Sequence, residues 1–220
     1  MKWLIAVTAI CIAAICAPAS GESARQIKWS DLVPPMEKYD DPFLSLSSEQ
    51  KLDLSLVAFV RQIKARGEAL EPPQQAKLDE AVARLKKDKI DVDGLLGKRA
   101  EIAEKRRQAA ESVNDKLNGQ QVRMPGYVLP LESDGRKVTE FLLVPYVGAC
   151  IHAPTPPPNQ IVHVKLPKGF EAAGTFAPVW VQGVMRTVRG TPKLNLVDGA
   201  ADIPTGYALD ATGVEAYRGE

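Results

Sequence analysis

The sequence predicts an α+β protein: a helical N-terminal region followed by a small five-stranded antiparallel β barrel or sandwich, OB-like in kind. Three observations predict it. Apolar residues recur at helical spacing from about residue 47, the period falls from 3.6 to 2 at Gly119, and five strand-like segments then follow without long helical crossovers. On that basis residues 1–21 read as a signal peptide, 22–46 as an extended arm, 47–118 as a helical region and 119–220 as a β domain.

Lys2 precedes an uninterrupted apolar run from Trp3 to Cys16, and the small-residue sequence Ala17-Pro18-Ala19-Ser20-Gly21 follows it. These are the three parts of a secretory leader, and the run is too short to span a bilayer. The expectation is export to the periplasm with cleavage after Ala19 or Gly21, leaving no transmembrane segment. Lipidation at Cys16 is disfavoured, because β-branched Ile15 stands where a small residue is normal. In the arm, Pro34-Pro35 and Asp40-Asp41-Pro42 discourage long elements, and Trp29, Leu32 and Phe43 are its expected anchors.

Leu52, Leu56, Phe59, Val60 and Ile63 form one stripe of a first helix, with Ser47 and Gln50 at capping-box spacing and Gly67 suited to its end. Pro72-Pro73 opens a second helix carrying Leu78, Val82 and Leu85. A third runs from about Asp93 to Asn114 with Leu95, Ile102, Ala109 and Val113 inward. The basic run Lys105-Arg106-Arg107 alternates with Glu101, Glu104 and Glu111, the pattern of a solvated face with paired charges. The strand-like segments are 121–131, 138–147, 160–166, 177–188 and 205–217.

Of the 28 basic residues only Lys2 belongs to the leader, so the mature chain balances 27 cations against 27 anions. That balance excludes a nucleic-acid binder working by global charge. Chemistry is constrained further, because the mature chain holds two histidines, His152 and His163, and one cysteine, Cys150. No internal disulfide can form, and an unpaired thiol in an oxidising compartment stands out. On an extended chain Cys150 and His152 leave the same face, which is the geometry of a two-ligand metal clip. Thiolate with imidazole suits zinc or copper, and His163 is the candidate third ligand. Against this stands a buried, inert Cys150, with Pro154, Pro156, Pro157 and Pro158 as a rigid connector and Asn159-Gln160 orienting nearby backbone. A thiol enzyme would need a base facing Cys150, which a neighbour two residues along an extended chain does not provide. No nucleophile elbow, phosphate loop or His-Glu-x-x-His motif occurs.

Three blocks, Trp29-x-Asp31-Leu32-x-Pro34, Val122 through Glu132, and Gly148-Ala149-Cys150-Ile151-His152 running to Pro158-Asn159-Gln160, resemble an uncharacterised family of secreted bacterial proteins known only as a domain of unknown function. The resemblance implies a companion of ABC transporters with MacB/FtsX-type permeases, in some cases beside a zinc-supply protein. It implies no catalytic residues. The expected function is therefore a periplasmic, non-enzymatic accessory or binding protein with a membrane permease or other envelope protein as partner, presenting Cys150, His152 and His163 to zinc. A metal-free adaptor and a thiol-dependent enzyme are the alternatives.

Overall fold

The computed structural model describes residues 23–150, 153–196 and 199–217. The expected leader and His152 lie outside them. In chain order the elements are β1 (Arg25–Gln26), α1 (Ser48–Ala65), α2 (Pro72–Lys87), α3 (Val92–Glu111), β2 (Gln121–Asp134), β3 (Lys137–Val144), β4 (Val162–Phe170), β5 (Pro178–Arg186), β6 (Lys193–Leu196), β7 (Gly199–Asp202) and β8 (Tyr207–Ala216). No described helix is long and apolar enough to cross a membrane.

Strands β2, β3, β4, β8 and β5 pair in that order, and β5 returns to β2, closing a barrel. One ring member must do double duty at the seam. The 14-residue β2 pairs with β5 through Gln121–Tyr127 and with β3 through Tyr127–Asp134, so a single bent strand serves two neighbours. Gly126 lies in the bend, where a Cβ would stand 2.6 Å from Leu143 Cγ and 2.9 Å from the Trp29 ring. The barrel is mixed, not purely antiparallel as expected, because β4 and β8 run parallel. The reason is topological: strand directions cannot alternate all the way round a ring of five. Period-two burial fills the interior with Val122, Met124, Phe141, Leu143, Val162, Val164, Val181 and Leu209. The hairpin β6–β7, which alternation did not reveal, places Leu194 on a smaller cluster with Leu129, Leu142 and Ile161 outside the barrel.

The arm enters this core. Ile27 and Leu32 are fully buried in it, Trp29 packs against it, and β1 adds two parallel pairs to β2. Tyr207, also fully buried, donates its hydroxyl hydrogen to the Leu32 carbonyl and accepts a 2.5 Å bond from the Asn114 amide. One hydroxyl thereby joins the arm, the segment after α3 and the last strand.

In the helical region Ser47 and Gln50 cap α1 reciprocally, as their spacing predicts. The packed stripe is rotated from the expected one. Val57 and Val60 meet Leu78 and Leu85 of α2, while Leu52 and Phe59 stay 71% and 58% exposed. The rotation follows Asp53, which α1 turns inward to take a two-pronged bond from Arg84 of α2 at 2.9 and 2.7 Å. Helix α3 buries only Ile102. Its Lys105 and Arg107 pair with Glu101, Glu104 and Glu111 as expected, whereas Arg106 clamps Asp41 of the arm at 2.7 and 2.9 Å.

Two outcomes test this frame. Tyr207→Phe leaves the Leu32 carbonyl and Asn114 amide without their buried partner, so chemical denaturation should show a loss of about 1–3 kcal/mol. The second concerns acid. The guanidinium of Arg106 beside Asp41 and that of Arg84 beside Asp53 hold both carboxyls below the usual aspartate range. With folded values depressed, their stabilisation is present above about pH 4 and is lost as pH falls through the lowered values. Melting temperature followed from neutral pH into acid should therefore fall less steeply in an Asp41→Asn, Asp53→Asn variant, which starts lower at neutral pH.

Candidate functional site

Strand β3 ends at Val144, and the chain returns to β4 through the segment that contains Cys150. Two features stiffen its first half. Ala153 N donates to Gly148 O at 2.8 Å, and the Tyr146 hydroxyl donates to Pro154 O at 2.6 Å. Within this closed turn Cys150 has φ 67°, the left-handed region that costs a non-glycine residue of order 1 kcal/mol. The chain is therefore not extended at Cys150, and the same-face argument linking it to His152 loses its premise there. The thiol packs on the outer cluster of Leu129, Leu142 and Ile161. Burial pushes it above the ordinary thiol range, against a smaller opposing pull from nearby Thr155, which favours the thiol over the thiolate.

His163 stands on the outer face of β4 opposite Leu142 of β3. Its Nε2 donates to Glu140 Oε1 at 2.5 Å, with both side chains largely shielded. Zinc requires at least three protein ligands. Of the three expected donors, His163 is bound to Glu140, Cys150 is partly buried against the outer cluster, and His152 lies outside the described residues. Among the described residues no three His, Cys, Asp or Glu side chains are grouped to hold a metal.

The second half of the segment anchors. Asn159, almost wholly buried, donates to the Ala109 and Ser112 carbonyls at 2.7 and 2.9 Å, where α3 ends. Gln160 donates to Trp29 O at 3.0 Å. These amides orient backbone, as the sequence suggests.

A groove that sequence reasoning did not single out lies beside the anchor. Trp29 lies against Gly126, and with Pro125, Tyr127, Pro145, Pro178 and Tyr217 it lines a shallow groove of about 220 Å³. Tyr217 is 41% exposed. Next to it the Arg123 guanidinium lies 4.2 Å above the Trp180 ring and 3.1 Å from Glu215, and the Trp180 ring is 5.7 Å from that of Tyr217. The polar groups on its lining side chains are two tyrosine hydroxyls, which can donate and accept, and an indole N–H, with no carboxylate or amide among them. The signal was available in Pro125-Gly126-Tyr127 and Trp29, but only the barrel seam brings them together.

The family model described as "Protein of unknown function (DUF3299)" matches residues 29–216. A crystal structure of a DUF3299 family protein from Pseudomonas aeruginosa is 27% identical, with 90% of this chain and 99% of that chain covered at a TM-score of 0.49. Comparison with curated proteins finds no match.

Proposed function

The chain belongs to the DUF3299 family of unknown function, and on that premise we propose that it is a non-enzymatic accessory protein of the cell envelope whose barrel binds an extended, proline-rich segment of a partner. The resemblance of its motif blocks points to a periplasmic setting beside a MacB/FtsX-type permease. The observation that carries the reading is the Trp29–Tyr127–Tyr217 groove. Aromatic rings and prolines suit the flat, preformed faces of a polyproline helix, and hydroxyl and indole donors suit a ligand rich in carbonyls and poor in N–H. A sugar would ask for carboxylate or amide partners that the groove's lining does not supply. The strand order β2-β3-β4-β8-β5, with β4 and β8, the third and fifth barrel strands in chain order, running parallel, supports an OB-like barrel, a frame used for extended ligands.

The test uses intrinsic fluorescence, since Trp29 and Trp180 are the tryptophans of the mature chain. Titration with decaproline should give a saturable change, and Tyr217→Ala should weaken it about tenfold, the equivalent of about 1.4 kcal/mol. No saturation at millimolar peptide rejects the reading.

A second reading keeps zinc at Cys150 and His152 with a further ligand from a partner chain and His163 left with Glu140. The strained φ of Cys150 favours it, because such conformations concentrate at functional sites. Elemental mass spectrometry on untagged protein purified from the periplasm should then show near-stoichiometric zinc that a Cys150→Ala, His152→Ala variant loses. Absence of metal in both after zinc addition removes this reading.

A further inference from the structure

Helix α1 is apolar round most of its circumference, carrying Leu52, Leu54, Leu56, Val57, Ala58, Phe59, Val60 and Ile63. A helix of that kind is ordinarily enclosed. Here α2 covers one side only. On another side Leu54 and Ala58 face Leu96 and Ile102 of α3 across a half-open groove of about 430 Å³, with Leu44 of the arm at its edge. Leu44 is 75% exposed, whereas the exposed Leu52 and Phe59 lie on a different face of α1 and do not line the groove.

Charge gives the groove its character. Its ionisable lining residues are Lys51 of α1 and Arg99 and Arg106 of α3, all cations in a mature chain whose charges balance. Arg106 is neutralised by Asp41 and lies 5.7 Å over the Phe43 ring. Lys51 and Arg99 have no carboxylate within ion-pair distance among the described residues. The groove is therefore an apolar floor with one cation outside any direct ion pair on each helical wall, Lys51 being near enough to Asp41 to feel its charge.

We propose that this groove docks an amphipathic helix of a protein partner, with apolar side chains against the exposed Leu44 and half-buried Leu96, above a floor of nearly buried Leu54, Ala58 and Ile102, and carboxylates flanking them toward Lys51 and Arg99. Two helical walls receive a third helix at anchor spacings i, i+3 or i+4, and i+7. Cations on both walls match acidic residues on both flanks of one apolar stripe. The proposal deepens the accessory-protein reading by giving that protein a second contact surface, and rests on it only for the setting.

The experiment uses the full mature chain and two fluorescein-labelled 18-residue amphipathic peptides with the same leucine stripe, one flanked by glutamates and one by lysines. Fluorescence anisotropy should show saturable binding of the glutamate peptide, at least about tenfold tighter than its twin. A Lys51→Glu, Arg99→Glu variant should reverse the preference, and Leu44→Ser should weaken binding without loss of helix content, Leu44 being exposed. Tyr217→Ala, which removes the decaproline response, should leave this binding unchanged, so failure of one site is distinguishable from failure of the other. The proposal is overturned by absence of saturation with the glutamate peptide or by a preference indifferent to the charge reversal. It is equally overturned if phosphatidylglycerol vesicles, and not the peptide, bind with the Lys51, Arg99 and Leu44 dependence.

Discussion

The structure depends on one buried junction at the mouth of the barrel. Tyr207 brings a hydroxyl into an apolar interior, where an unpaired polar group would be costly. The arm supplies the Leu32 carbonyl and the segment after α3 supplies the Asn114 amide, so the phenol is satisfied only when three distant stretches of chain meet. Asn114 in turn donates to Asp31 O at 2.8 Å, while Asn159 closes the exposed carbonyls at the end of α3 and Gln160 holds Trp29 O. The junction therefore positions Trp29, and Trp29 forms a wall of the aromatic groove. The groove and the fold are held by the same few polar atoms.

Most of the frame was legible in the sequence because it follows from local rules. Period-two alternation gave the five barrel strands to within a few residues, and the Ser47–Gln50 spacing gave the start of α1. What local rules omit is relational. The parallel β4–β8 pair follows from closure of an odd ring, a property of no single strand. The rotation of α1 follows from Asp53, a charged residue inside a stripe that a hydrophobic count leaves out. The hairpin β6–β7 was missed because Lys193-Leu194-Asn195-Leu196 is a short alternating run among turn formers.

For the candidate site the balance is different. Cys150 and His163 stand out as rare chemical types, and their environments can be read: one thiol pushed toward its neutral form by burial, one imidazole bound to Glu140. Their rarity made them visible in the sequence and said little about which surfaces the fold would build. The two grooves are built from common residues, Trp, Tyr, Pro, Leu and Lys, whose meaning lies in convergence. The three motif blocks illustrate this, since Trp29 rests on Gly126 and Gln160 holds the Trp29 carbonyl.

The Tyr207–Leu32 bond spans 175 positions along the chain. A ribosome or a translocation channel delivers residues in order, so Leu32 emerges long before the strand that secures it. The helices, with their local contacts, can form early, whereas the barrel interior and the arm that enters it wait for β8, the last barrel strand in chain order. During that interval Ile27, Leu32 and the bent strand β2 are exposed, with unpaired strand edges that the finished ring eliminates. Closure removes the free edges of those five strands, so their exposure is confined to biogenesis, and the separate β6–β7 hairpin alone among the paired sheets keeps both of its edges.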